Sequence, residues 1–411
     1  MSPATPLRVS VVGAGIGGLA AAIALRRSGH LVQIFEASEA KREVGAGIGL
    51  QVNALRVLEH LGVRRENLRG VDYDGITNFD SETGEGAARP WLIADVDQNR
   101  SILCHRADVH NELKRIACDN PGPGTPAELL QGRRVIDCNP DTGSITLGDG
   151  SVVVSDLVIA ADGVHSTLRA KVLGYPQPAL ASGISCFRTV FDARKLDTLS
   201  DPEWFTAGTG VSGLRGILVK DSISYKLIAA YYCRDKTVVN VAAVYEDPTQ
   251  DAPEWSPAGS SAELLQTYPT LHPKFRAFIA LAEHDQILKW RLRVLPALPT
   301  WTRGRTTLLG DAAHATLPTL GQGAALAIEE AGALGCLFPP GTQPQHVQER
   351  LKAFQKLRKP RADFVNREAI SQVMEPEKRG LYLRSPELQA YLVSHNAIKE
   401  AQEYFATLSR L

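Results

Sequence analysis

Residues 7–38 read LRVSVVGAGIGGLAAAIALRRSGHLVQIFEAS, and the order of residue types along them decides the fold. Residues 7–12 are β-rich and carry no charge after Arg8, as expected of a strand buried in a parallel sheet. Gly13, Gly15 and Gly18 follow at once in G-x-G-x-x-G spacing. An alanine-rich helix then runs to Gly29, and a second strand, LVQIFEAS, reaches Glu36. Strand, tight glycine turn, helix and an acidic residue about 20 positions further on make up a dinucleotide-binding unit. Gly13 permits the turn, Gly15 lets the backbone approach a pyrophosphate, and Gly18 lets the helix pack closely. The helix N-terminus offers free amides and the positive end of its dipole to phosphates, and Glu36 can accept hydrogen bonds from ribose hydroxyls.

Part of this stretch, residues 9–25, is uncharged and reaches the lower limit of about 17 residues for a membrane span. Gly13, Gly15, Gly17 and Gly18 favour strand, turn and helix instead, and there is no cationic leader or small-residue cleavage site. The chain therefore reads as soluble and cytoplasmic, with no stable membrane insertion. Its 45 basic and 45 acidic side chains balance, which argues against an obligate nucleic-acid partner. A length of 411 residues, 44% of them hydrophobic, suits two packed lobes. Cys104, Cys118, Cys138, Cys186, Cys233 and Cys336 form no CxxC pair, so neither a metal site nor a disulfide framework is expected.

A third glycine cluster, GAGIGL at 45–50, includes Gly49 and precedes the helical pattern NALRVLEHLG. No strand precedes it, so it is not a second fingerprint. Residues 101–117 read as a helix with Asp108 near its start, and after PGPGTP at 121–126 strands resume, with Gly148-Asp149-Gly150 as a hairpin turn. From 177 to 248 the chain is mostly strand-like, as an inserted antiparallel sheet would be, and 258–283 looks helical. The C-terminal third is helical, with Pro360 as the place for a kink. Its basic run, RLKAFQKLRKPRADF at 350–364, keeps helical spacing at Leu351, Phe354 and Leu357 and reads as a solvated helix face. The expected class is α/β: a Rossmann-like lobe (1–175, returning at 291–340), an inserted antiparallel β-sheet domain (176–290) and a helical C-terminal region (341–411).

The return segment, GDAAHATLPTLGQGAALAIEEA at 310–331, is a second glycine-rich entry to a helix. The first fingerprint does not separate NAD from FAD; this one does. A flavin extends a ribityl arm and a ring system far from its pyrophosphate and needs contacts from a remote part of the chain. Asp311, after a strand, is placed for ribityl hydroxyls. The loop 319–324 opens a helix whose free amides would face the ring edge that becomes negative on reduction.

Three stretches, VVGAGIGGLAAAIAL with Glu36, DLVIAADGVHSTLR (156–169) and the return segment, together resemble the group A FAD-dependent monooxygenases, the salicylate hydroxylase and p-hydroxybenzoate hydroxylase type. The resemblance runs from about residue 7 to 370, and HRADVHNEL also looks like the family's. Val52 stands where many members have proline and Glu330 where many have aspartate. The resemblance implies FAD, tightly but non-covalently bound by Gly13, Gly15, Gly18, Glu36, Arg106, Asp311 and Gly323, with Gly49, Gly321 and Ala324 in the same motifs. It associates Asp162, of the Asp-Gly motif, with both FAD and a transient NADH or NADPH, and sets Pro318 against the flavin near the reaction centre. His314 is expected to be structural.

The resemblance further implies that NAD(P)H reduces FAD, O2 adds at flavin C4a, and the hydroperoxide passes an oxygen to a small phenolic or other electron-rich aromatic. Such chemistry must be kept from water, so an apolar lobe over the flavin is expected. Arg188, a charge inside the otherwise apolar ISCFRTVF, is a candidate for stabilising an ionised phenol. Hydroxylases of fungal aromatic polyketides, within this resemblance, pair such an arginine with a tyrosine from a neighbouring strand; Tyr225 and Tyr232 are the candidates. Epoxidation or oxidative ring modification, a prenyl-chain reductase and, in a different class, a non-catalytic flavin-binding module remain the alternatives. A monomer or homodimer is expected.

Overall fold

The computed structural model describes residues 5–39, 46–93, 100–119, 122–207, 210–219, 225–248, 258–283 and 287–408. Arg8–Val12, apolar after its first residue, lies inside a six-stranded sheet. It pairs in parallel with Leu31–Phe35 on one side and Leu157–Ala160 on the other. Glu128–Leu130 and Thr306–Leu308 extend the parallel sheet, and Thr302–Arg303 closes one edge antiparallel. Helix Ile16–Arg27 crosses from the first strand to the second and is buried along most of its length. Its small residues let helix Gly323–Leu337 pack closely: a side chain on Gly17 would sit 3.0 Å from the Ala327 Cβ, and one on Gly335 3.1 Å from the Ala24 Cβ.

A seven-stranded sheet forms the second lobe, in the order Leu288–Val294, Leu180–Asp192, Val238–Glu246, Leu227–Cys233, Gly213–Leu218, Gly75–Asp80, Gly86–Pro90. The expected boundaries need correction here. Gly75–Asp80 and Gly86–Pro90 fall within the first 175 residues yet bond into this sheet, because Gly75–Asp80 pairs in parallel with Gly213–Leu218. The last strand also runs past residue 290. One face of the sheet carries Phe187, Phe191, Ile217, Ile228, Val241 and Ala243 and is sealed by Trp204, Phe205, Leu264, Phe275 and Phe278 from short helices. The opposite face turns toward the first lobe.

Two further corrections concern local structure. Residues 101–117 are not one helix: Ile102–His105 is a buried strand, and the helix begins at Arg106. Its partner, antiparallel, is Gly47–Leu50, so the third glycine cluster is itself a strand; Gly45 lies outside the described residues. Helix Val347–Met374 runs unbroken through Pro360. Its basic run is not wholly a solvated face, since Arg358 and Arg361 are buried. Among the described residues, no helix is long and apolar enough to cross a membrane.

Candidate active site and cofactor cradle

Gly13, at the carboxyl end of the first strand, has φ +99°, and a Cβ there would lie 2.4 Å from the Ala161 carbonyl oxygen. Only glycine fits. Gly18 is approached as closely by the Gly13 carbonyl, whereas a Cβ on Gly15 would meet nothing within 4 Å, so the backbone there is open to a ligand. Helix Ile16–Arg27 has no side-chain cap and no acidic residue in its first turn. Its amide end is therefore available to an anion. Glu36 reaches back over the loop, accepting from Ala14 N at 2.8 Å and Ser38 N at 3.0 Å.

The return segment meets this loop. Gly310 (φ +62°) follows the last parallel strand, and a Cβ on it would stand 3.2 Å from Ala327 Cβ, the residue that also abuts Gly17. Helix Gly323–Leu337 likewise begins without a side-chain cap or an acidic first turn. Two uncapped amide ends thus converge at the carboxyl edge of one parallel sheet, where such folds bind dinucleotides. A groove of about 470 Å³ lined by Arg8, Leu31, Gln33, Glu128 and Val154 opens at the amino ends of the strands instead, the wrong end for that purpose.

Asp311 is an exposed side chain with protein around it, so it lines a recess rather than the outer surface. Burial among neighbours raises its pKa, opposed by the charges of His314 and Arg106. Asp162 uses one carboxylate oxygen to accept from Thr167 N (2.9 Å) and Leu168 N (3.2 Å); the other is buried and has no partner. Gly321 (φ +64°) turns the loop into the helix, and Gly323 and Ala324 form its first turn. Pro318 is exposed on the loop before it. Adjacent Leu317 is buried with Cys186 and Val244 of the large sheet. An amide cradle at each end, an exposed acid between them and an orphaned buried oxygen together fit a long dinucleotide such as FAD.

Residues given no cofactor contact in the sequence reading hold this cradle. Arg169, 2% exposed, donates to the carbonyls of Gly163, Val164, Gln177, Asp311 and Ala312, binding the Asp-Gly turn to the return segment. Glu330 accepts from Gly310 N at 2.8 Å and lies 2.6 Å from His314 Nε2. Burial opposes a charge on His314, but the Glu330 carboxylate outweighs it and raises the pKa. This is the structural part expected of His314. Beneath the Gly321–Gly323 loop, Gln322 donates to Gln51, and Asn53 donates to Gln322 (2.9 Å) and Glu329 (2.6 Å). Glu329 is gripped by Arg358 and Arg361.

On the open face of the large sheet, Arg188 Nη2 donates to Gly47 O at 2.9 Å and the guanidinium stacks 4.7 Å from the Trp290 ring centroid. No carboxylate pairs with it among the described residues. The expected tyrosine partners are not beside it. Strand pleat sends Tyr232 to the sealed face, against Phe205. Tyr225 is on the open side, where burial raises its pKa to about 12, but its ring lies under Arg379, roughly four residues or 13 Å along the strand from the row of Arg188. Tyr231 is the tyrosine brought close: a Cβ on Gly47 would stand 2.5 Å from its hydroxyl and 2.7 Å from Asn240 Cγ. Asn240 accepts from Gly47 N at 2.6 Å. The signal that singles out Arg188, one polar residue in an apolar strand, was equally present for Asn240 in TVVNVAAVYE.

A family model described as FAD binding domain matches residues 6–369. The chain is 40% identical to hispidin-3-hydroxylase of Neonothopanus nambi, across 98% of this chain and 97% of that protein. It is 31% identical to salicylate hydroxylase of Pseudomonas putida, across 89% and 84%. Among solved structures, CtdE in complex with FAD and a substrate superposes with a TM-score of 0.83, covering 98% of this chain and 99% of that one at 23% identity.

Proposed function

The chain belongs to the FAD binding domain family, and from that premise we propose that its substrate is hispidin or a closely related phenolic, held by Arg188 through an ionised oxygen. The protein is an FAD-dependent monooxygenase that uses NAD(P)H and hydroxylates a small aromatic. When bound, FAD would supply the redox chemistry, by which the two electrons of NAD(P)H reduce O2 so that one oxygen atom enters an electron-rich ring carbon and the other leaves as water. The chain's own residues bind and orient. Gly13, Gly15 and Gly18 with the first helix hold the pyrophosphate, Glu36 the ribose, and Asp311 and Arg106 the ribityl side; the amides at Gly321, Gly323 and Ala324 meet the ring edge.

Arg188 keeps one donor on Gly47 and turns its remaining N–H groups to the substrate oxygen, favouring the ionised, electron-rich form. Tyr231 stands beside it. Pro318 shapes the space between loop and sheet, and the apolar residues around it exclude water. The observation that carries this reading is the meeting of two uncapped helix ends beside a half-open sheet face that bears the Arg188 guanidinium, which has no carboxylate partner among the described residues. We include in it a cytoplasmic monomer or homodimer, to be read by light scattering.

The test is the visible spectrum of the purified protein, followed anaerobically with NADH or NADPH, with and without hispidin and a panel of phenols. Faster bleaching of oxidised flavin with one compound, and hydroxylated product on admitting air, is the expected result. NAD(P)H oxidation with no product from any phenol would defeat the substrate assignment.

A further inference from the structure

Cross-strand pairing builds a row of small residues on the open sheet face. Gly216 stands opposite Ala229, Ala229 opposite Ala242, and Ala242 opposite Arg188; at the other end Asn78 stands opposite Gly216. Larger residues wall this row on both sides. Leu218, Leu227, Val244, Cys186 and Trp290 form one flank, and Ile76, Leu214, Tyr231, Asn240 and Val190 the other. Asn78, Ala229, Ala242 and Arg188 are each partly exposed, whereas the equivalent positions on the opposite face are closed. The result is a trough across five strands with a polar group at each end.

The second observation is Asn240, 0% exposed and on the same face as Arg188. Its carbonyl accepts from Gly47 N, which fixes the amide's orientation, and its Nδ2 is buried with no acceptor. A buried donor without a partner is destabilising, and a ligand acceptor removes that cost. The row from Asn78 to Arg188 spans four strand spacings of about 4.8 Å, or roughly 19 Å between Cα atoms. Asn78 leans over Gly216, its Oδ1 2.7 Å from where a Cβ there would stand, so the floor from that oxygen to the row of Arg188 is about three spacings, roughly 14 Å, which suits two conjugated rings and exceeds one.

Resting on the aromatic-hydroxylase reading, we propose that the substrate is an elongated two-ring aromatic with oxygen functions at both ends. One end meets Arg188 and Asn240, and the other meets Asn78. The ring at the Arg188 end is the one presented to the cofactor, because Gly47 and the Leu317 flank adjoin that end. Asn78, Ala229 and Asn240 are then specificity residues, and length is what the trough reads.

The test uses the FAD-loaded enzyme and two probes, hispidin and resorcinol, with binding read from perturbation of the flavin spectrum and kcat/KM from product. The parent enzyme favours hispidin by at least about tenfold. Ala229→Leu, which fills the floor, and Asn78→Ala, which removes the far contact without adding bulk, each lower the hispidin-to-resorcinol ratio by about tenfold. The ratio is insensitive to general loss of folded protein, and Asn78→Ala serves if Ala229→Leu does not fold. Ratios unchanged in both variants overturn the trough while leaving aromatic hydroxylation intact. A parent enzyme whose flavin and turnover respond to neither probe overturns both.

Discussion

Arg188 carries the sharpest consequences of a single side chain. It has no carboxylate partner among the described residues, so its charge is available to an ionised hydroxyl. Arg188→Ala should lower kcat/KM by about a hundredfold and move the rise of kcat/KM with pH to higher pH, because the cation that favours ionisation is gone. A pH profile of unchanged position would show that Arg188 only holds Gly47. The neighbouring glycine tests the packing. Gly47→Ala drives a methyl into Tyr231 and Asn240 and should cost about 1–3 kcal/mol, seen as a lower Tm and weaker flavin retention. Arg188 was legible in the sequence because one charge interrupts an apolar strand. Its tyrosine neighbour was not, since Tyr231 and Tyr232 are adjacent in sequence and only the pleat decides which one faces the site.

At the scale of elements, helix Gly323–Leu337 is pinned at its N-terminal end by Gln322, Gln51 and Asn53, and further along by Glu329 between Arg358 and Arg361. Burial would raise the Glu329 pKa, but the two arginines hold it down to about 2. Because the folded value lies below the unfolded one, this carboxylate's contribution is complete above the ordinary Glu range and is lost as pH falls toward about 2. Glu329→Gln leaves two buried cations poorly matched and should cost about 3–5 kcal/mol, visible in thermal unfolding at neutral pH and shrinking in acid. His314 has the opposite sign. Its raised pKa means that its pairing with Glu330 is complete below the ordinary His range and fades as pH rises through the folded value. FAD retention should therefore weaken on the alkaline side in the parent and lose that dependence in His314→Gln. The basic run 350–364 misled for a related reason: spacing marks which residues share a helix face, and says nothing of a carboxylate arriving from another helix.

Across the whole molecule, residues 375–393 fold back over the join between the lobes. Arg379 lies over Tyr225, Tyr382 packs on Trp91, and Gln389 accepts from Leu92 N and donates to the Tyr382 carbonyl. Gln389→Ala, which releases Leu92 N and the Tyr382 carbonyl, should leave NAD(P)H oxidation in place but send more of the electrons to H2O2 instead of product, because water then reaches the reacting centre. Coupling equal to that of the parent would mean that this segment is not part of the enclosure. The sequence by itself determined the dinucleotide fold and the two ends of the cofactor cradle, because each motif carries its own physics: a glycine turn, an uncapped helix and an acid on adjacent stretches of chain. It also marked the apolar sheet region and its one stray charge. Only the tertiary structure decided that residues 75–90 join that sheet, that Asn240 and Tyr231 stand beside Arg188, and that three small residues align into a floor. Those relations depend on strand register between segments as far apart as Gly75–Asp80 and Gly213–Leu218, and register is set by packing of the whole lobe, not by any local pattern.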